Sequence, residues 1–171
     1  VVAAAIDRLR PAAERRGITI GVGGVDTAIR VLADRRQIVS ALYNLLDNAA
    51  KYSDEGSVVE VSAVQGDGMV NLTVTDTGIG IPARDVERVF ERFYRDAHAR
   101  SRQTGGTGLG LAIVRHVAVN HGGEVLVESR RGEGSTFTLR LRAALDSPET
   151  SCYGTDTVDG LTVVDRTRSV R

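Results

Sequence analysis

Asn44-Leu45-Leu46-Asp47-Asn48-Ala49-Ala50-Lys51-Tyr52-Ser53 reads as the second half of an amphipathic helix that carries two asparagines. Ile38, Leu42, Leu45, Leu46 and Ala49 recur on one face, as a helix packed on a core requires. Asp34 supplies the N-cap, and Ser53 to Gly56 ends the element. Asparagine is poor in a helix interior, because its amide competes for nearby backbone groups. Asn44, Asn48 and Lys51 nevertheless fall at i, i+4 and i+7 and line one stripe. An amide oxygen is a hard ligand suited to Mg²⁺, and an ammonium is a point charge suited to phosphate. A solvated polar face would also place such residues there, so this helix alone does not decide.

Two glycine-rich stretches lie downstream. In Asp76-Thr77-Gly78-Ile79-Gly80-Ile81-Pro82 an acid ends a strand and glycines follow, allowing a tight turn and close approach of a ligand. The carboxylate accepts hydrogen bonds and suits an exocyclic amine. In isolation an ordinary Asp-Gly turn is the simpler reading. A Rossmann fingerprint is excluded, since the third glycine and the long crossover helix are missing. In Gly105-Gly106-Thr107-Gly108-Leu109-Gly110-Leu111, glycines lead straight into a helix, whose N-terminal N–H groups favour phosphate. No Gly-Lys-Ser/Thr follows, so this is not a Walker loop, and flexible hinge glycines are the alternative.

Around these motifs the pattern reads as strand (Ile18 to Val22), strand (Ala28 to Leu32), helix (to Tyr52) and a hairpin over 57–76. A short helix around Arg84 to Phe90 and a mobile loop over 94–107 follow. A helix from Gly108 to His121 and a final strand pair, Val125 to Ser129 and Ser135 to Leu141, complete the order. The expected fold is an α+β two-layer sandwich, a mixed and mainly antiparallel sheet covered on one face by about three helices. Residues 1–16 read as the end of a linker, 17–145 as the domain, and 146–171 as a polar, flexible tail.

The bulk composition agrees with a single globular domain. The chain has 171 residues, 42% of them hydrophobic, but only 4% aromatic and no Trp, so Val, Leu, Ile and Ala must build the core. With 22 basic and 22 acidic side chains the formal net charge is zero, which leaves no electrostatic footprint for nucleic acid. The single Cys152 forms no internal disulfide and no Cys-rich zinc site. No apolar run approaches the roughly 20 residues that span a bilayer, and Val1 to Ala5 lacks the basic start of a signal peptide. The chain reads as a fragment of something longer, and any membrane segment would lie upstream and outside it.

Taken together the motifs resemble the histidine-kinase branch of the ATPase superfamily that also holds gyrase, heat-shock chaperone and mismatch-repair ATPases. The asparagine helix resembles the N box, and Asp76 to Gly80 the first glycine box. Phe90-Glu91-Arg92-Phe93-Tyr94-Arg95 resembles the F box, Gly105 to Gly110 the second glycine box, and Gly132-Glu133-Gly134-Ser135-Thr136-Phe137 the closing glycine-rich strand motif. The wording of the motifs is similar to that of actinobacterial phosphate-responsive sensor kinases. The resemblance covers about residues 1–142 and implies a Bergerat-type ATP-binding fold.

It implies roles as well. Asn48 would coordinate Mg²⁺ between the phosphates of ATP, Asn44 would support that end, and Lys51 would contact phosphate, making these three the catalytic set. Tyr52 and Ile81 would line the nucleotide pocket. Asp76 would accept from the adenine amine, with Gly78 and Gly80 giving the ring room. Residues 94–107 would be the ATP lid; Gly106, Thr107, Gly108, Leu109 and Gly110 would hold phosphate by backbone N–H, and Arg95, Arg100 and Arg102 of the lid would also reach it.

Hydrolysing branches of the superfamily carry a glutamate one turn before the metal asparagine, as a general base for water. Asn44 cannot take a proton, which points to transfer to another acceptor instead. A family phosphoacceptor is followed by an acid, whereas His98, His116 and His121 are followed by Ala99, Val117 and Gly122. The acceptor is therefore expected on an upstream phosphoacceptor and dimerisation domain, with a response regulator as the next partner and no nucleic acid. The fragment is expected to be monomeric and the full-length protein a homodimer. Two other readings compete: a nucleotide-binding regulatory module without catalysis, and a serine kinase acting on an anti-sigma partner, which the F box disfavours.

Overall fold

The structure is a computed structural model that describes residues 1–25, 29–94, 107–144, 153–158 and 161–169. Its helices, among the described residues, are α1 (Val2–Arg15), α2 (Arg35–Tyr52) and α3 (Gly110–Asn120). Its strands are β1 (Thr19–Val25), β2 (Ile29–Ala33), β3 (Val58–Gly66), β4 (Met69–Asp76), β5 (Glu124–Arg130), β6 (Gly134–Arg142), β7 (Tyr153–Val158) and β8 (Leu161–Ser169). A five-stranded sheet runs in the order β1-β3-β4-β6-β5. Its β3–β4, β4–β6 and β5–β6 pairs are antiparallel, and β1–β3 is parallel.

Period-two alternation decides which face of the sheet carries the helices. Along β4, Val70, Leu72 and Val74 are buried and the residues between them are not. Val59, Val61 and Ala63 of β3 and Phe137, Leu139 and Leu141 of β6 join them. The opposite face carries Thr73 against Thr138 and Thr75 against Thr136, hydroxyl to hydroxyl at 3.4 and 3.2 Å. Against the apolar face lies α2, with Ile38, Leu42, Leu45, Leu46 and Ala49 buried, flanked by α1 and α3. The result is the two-layer α+β sandwich with one covered face.

Asp34 caps α2 as expected: its Oδ1 accepts from the N–H groups of Arg36 and Gln37 at 2.8 and 3.2 Å. Such a cap is worth about 0.5–2 kcal/mol. Instead of a helix over Arg84 to Phe90 there are two 3₁₀ turns, Ala83–Asp85 and Arg88–Phe90. The segment after Pro82 is too short to offset α-helical nucleation, and its turns close by bonds between residues three apart, such as Asp85 N–H to the Pro82 carbonyl at 2.8 Å.

Residues 146–171 read as a tail, yet β7 and β8 arise from them. They form an antiparallel pair, and β8 lies parallel to β2 from Ile29 opposite Leu161 to Ala33 opposite Asp165. The sequence signal for this is the stretch Leu161 to Val164, of which Val163 is buried. No helix among the described residues is long and apolar enough to cross a membrane.

Candidate functional site

The alternation that buries Val70, Leu72 and Val74 continues to Asp76 and places a carboxylate on the covered face at the end of the strand. Ser135 stands opposite on β6, on the same side as Phe137 and Leu139. Asp76 is only 5% exposed. Burial pushes its carboxyl above the ordinary carboxylate value, opposed by hydrogen bonds from the N–H groups of Gly78 and Ser135. The Gly78 N–H donates to Oδ1 at 2.8 Å. The remaining capacity of the carboxylate faces a cavity between the sheet and α2.

Backbone approaches too close for any side chain fix the floor of this cavity. A Cβ on Gly78 would lie 2.2 Å from the Tyr52 carbonyl oxygen, and Ile79 N–H donates to that oxygen at 3.1 Å. Gly80 combines φ +64 with the Arg130 carbonyl 1.9 Å from where its Cβ would be. Ser129 ties the turn down: its Oγ accepts from Ile81 N–H at 2.8 Å and donates to the Gly134 carbonyl at 2.8 Å. The glycine turn is thereby locked to α2 on one side and to the β5–β6 hairpin on the other.

The wall formed by α2 presents Asn44, Asp47, Asn48, Lys51 and Tyr52 to the cavity. Asn44 donates its Nδ2 to the Ser40 carbonyl at 2.8 Å. Its Oδ1 faces the start of α3, 3.2 Å from where a Cβ on Gly110 would be. No hydrogen bond among the described residues occupies the Asn48 amide, so its oxygen is available to a ligand. Lys51 pairs with Asp47. The described residues contain no group of three or more His, Cys, Asp or Glu side chains arranged around a metal ion.

The third wall joins Tyr94 to the N-terminus of α3. Phe93 N–H donates to the Gly108 carbonyl at 2.9 Å, with Phe93 at φ 64 and Gly108 at φ 69. Tyr94 donates its hydroxyl to the buried Asp85 at 2.7 Å, and the Arg88 guanidinium stacks 4.5 Å from the ring centroid. The first N–H groups of α3 have no partner within the helix, and a positive partial charge accompanies them.

Of the residues expected from sequence, Asn44, Asn48, Lys51, Tyr52 and Asp76 meet in this one cavity, as do Gly80, Ile81, Thr107, Gly108 and Gly110. Gly78 lies beneath it against Tyr52. Leu109 is the N-cap of α3 and is not part of the lining. Gly106, Arg95, Arg100, Arg102, most of the expected lid and His98 lie outside the described residues. Sequence reading missed Asp47, Ile79, Pro82, Val89, Tyr94, Leu111 and Ser135 as lining residues. Asp47 shares the asparagine stripe and was legible there, whereas Ser135 depends on strand register.

His121 has both ring nitrogens engaged. Nε2 accepts from Asp34 N–H at 3.0 Å, and Nδ1 lies 2.7 Å from the Val117 carbonyl. His116 is exposed and bonded to Asn120 at 3.1 Å.

A cleft lined by a buried acceptor, amides, an ammonium and a helix N-terminus suits a ligand with an amino-bearing base and an anionic tail. Comparison with known proteins agrees. The family described as histidine kinase-, DNA gyrase B-, and HSP90-like ATPase matches residues 33–145. The chain is 48% identical over 147 residues to the sensor-like histidine kinase SenX3 of Mycobacterium tuberculosis, covering 86% of this chain and 36% of that protein. To the sensor histidine kinase WalK of Bacillus subtilis it is 43% identical over 118 residues, covering 68% and 19%. The chain thus spans about a third or less of the length of these relatives. Among solved structures, the mycobacterial sensor histidine kinase MprB has a TM-score of 0.68 at 36% identity, over 82% of this chain and 95% of that one. Full-length ShkA in complex with AMPPNP has a TM-score of 0.72 at 31% identity, over 85% and 30%.

Proposed function

Because the chain belongs to the family of histidine kinase-, DNA gyrase B-, and HSP90-like ATPases, we propose that it is the ATP-binding catalytic domain of a sensor histidine kinase. It donates the γ-phosphoryl group of ATP to a histidine outside residues 1–171. The observation that carries this is the convergence of Asp76, Asn48 and Lys51, from two elements, on one cavity. Asp76 accepts from the adenine amine, and Ile81 and Tyr52 flank the base. Lys51 and the N–H groups from Thr107 to Gly110 face the phosphates.

Mg²⁺ fits the free amide oxygen of Asn48. This ion takes one or two protein oxygens and completes its shell with water and substrate phosphates, so a single amide suffices. When bound, it would neutralise charge on the phosphate oxygens. The chain's own contribution is placement of the nucleotide. Asn44 spends its N–H on Ser40 and has no basic group for activating water. The balance therefore favours an imidazole nitrogen as nucleophile: the new P–N bond forms as the bond from the γ-phosphorus to the bridging oxygen breaks, and ADP leaves.

His121 is held on both nitrogens, and His116 lacks a following acid, so neither is the acceptor. The acceptor belongs to a dimerising phosphoacceptor domain upstream of α1, a helix that itself packs on α2 as part of this domain, on the cytoplasmic side of a membrane-anchored homodimer. From there the phosphoryl group passes to a response regulator.

The test is incubation of the chain with γ-³²P-labelled ATP, Mg²⁺ and a separately produced acceptor domain of the same protein. Base-stable, acid-labile phosphohistidine is expected on the acceptor and none on the chain alone. No phosphohistidine at any Mg²⁺ concentration would overturn the proposal.

A further inference from the structure

Asp47 lines the cavity beside Asn44, Asn48 and Lys51, and the reading above gives it no task. A carboxylate there is unfavourable for a polyphosphate, since like charges at contact range repel even in a high-dielectric site. Its oxygens have separate partners. Oδ2 takes the Lys51 ammonium one turn further along α2. Oδ1 lies 3.7 Å from Nη1 of Arg16.

Arg16 stands outside the cavity, as the residue that ends α1. Its Nη1 is buried and has no hydrogen bond, which leaves Asp47 as the counter-charge. Side-chain exposures of 18% for Asp47 and 20% for Lys51 make this pair less screened than a surface ion pair. A chain of alternating charge therefore runs from the end of α1 to the ammonium that faces phosphate.

We propose that Asp47 is a positioning residue that competes with phosphate for Lys51, and that Arg16 sets the strength of that competition, coupling the end of α1 to nucleotide affinity. The inference rests on the nucleotide-binding reading of the cavity. With Arg16 in place, part of the Asp47 charge is neutralised and Lys51 is released more easily. Without Arg16, the carboxylate holds Lys51 and repels phosphate at full charge. Without the carboxylate, Arg16 has nothing to act through.

Isothermal titration of the 171-residue chain with ATP, with and without Mg²⁺, and with adenosine tests this. Asp47→Asn is expected to tighten ATP binding about two- to five-fold, the range that partly exposed ion pairs supply. Arg16→Ala is expected to weaken it about two-fold, and Arg16→Lys to restore it. Adding Arg16→Ala to Asp47→Asn is expected to change nothing further. Adenosine, which has no phosphate, is expected to bind all variants alike, and this separates the effect from damage to the fold. Weaker ATP binding by Asp47→Asn would overturn the proposal, and a loss confined to Mg²⁺ would make Asp47 a metal ligand instead. Equal effects of Arg16→Ala in both backgrounds would also overturn it. Failure of the unchanged chain to bind ATP would overturn the proposed function, and this inference with it.

Discussion

Replacing Asp76 by Asn separates binding from stability, because the same carboxylate serves one and burdens the other. The carboxyl is 5% exposed and its pKa is raised by burial above the ordinary value of 3.8. A raised value in the folded chain means the protonated form is favoured there. The favourable contribution is full below the unfolded value and lost as pH rises through the folded one, so at neutral pH the charge opposes folding. Asp76→Asn removes that charge and keeps an oxygen for the Gly78 N–H at 2.8 Å. The midpoint of urea unfolding without nucleotide is expected to hold or rise at pH 7, with the advantage fading in acid.

Binding should move the other way. A hydrogen bond from the adenine amine to a charged acceptor is worth about 1.5–3 kcal/mol, so ATP affinity is expected to fall about 10- to 150-fold. In the unchanged chain ATP binding should also weaken as the pH drops through the raised carboxyl value, and that part of the profile should vanish in Asp76→Asn. Calorimetric titration with ATP, alongside urea unfolding, reads both quantities. ATP binding within two-fold of the unchanged chain would refute the assignment of Asp76. So would a loss of affinity that tracks a loss of stability.

Other consequences are as direct. Gly80→Ala meets a carbonyl oxygen at 1.9 Å and a left-handed backbone, whereas Gly132→Ala at φ +83 meets open space. Urea unfolding should show a loss of about 2–5 kcal/mol for the first and about 1–2 for the second. Asn48→Ala should abolish the Mg²⁺ dependence of ATP binding while leaving adenosine affinity unchanged, as read by titration with and without the metal. His121→Ala removes the acceptor of the Asp34 N–H, and a loss of about 1–3 kcal/mol in urea unfolding is expected, with unaltered affinity for adenosine.

The local parts of the structure were legible because their signals are local. The stripe from Ile38 to Ala49 and the Asp34 cap define α2, and alternation from Val70 to Val74 defines β4. Asp76 stood out as an acid before glycines, and the same alternation fixes the face it shares with Val74. Contacts that join distant segments left no comparable trace. The hold of Ser129 on Ile81 and Gly134, the approach of Gly80 to Arg130 and the His121 clasp on Asp34 depend on register and packing. The parallel pairing of β8 with β2 bridges most of the chain, and a four-residue apolar stretch in a polar segment says little about its partner. Asp85 reads as an ordinary surface acid until Tyr94 is seen to cover it.

A crystal structure of the chain with ATP and Mg²⁺ bound decides whether Asp76 and Asn48 hold the two ends of the nucleotide. The adenine amine is expected about 2.7–3.2 Å from an Asp76 carboxylate oxygen, and the Asn48 amide oxygen about 2.0–2.1 Å from the metal. A nucleotide bound outside the cavity between α2 and β4, or with its base turned away from Asp76 and its phosphates away from Asn48, would contradict that placement.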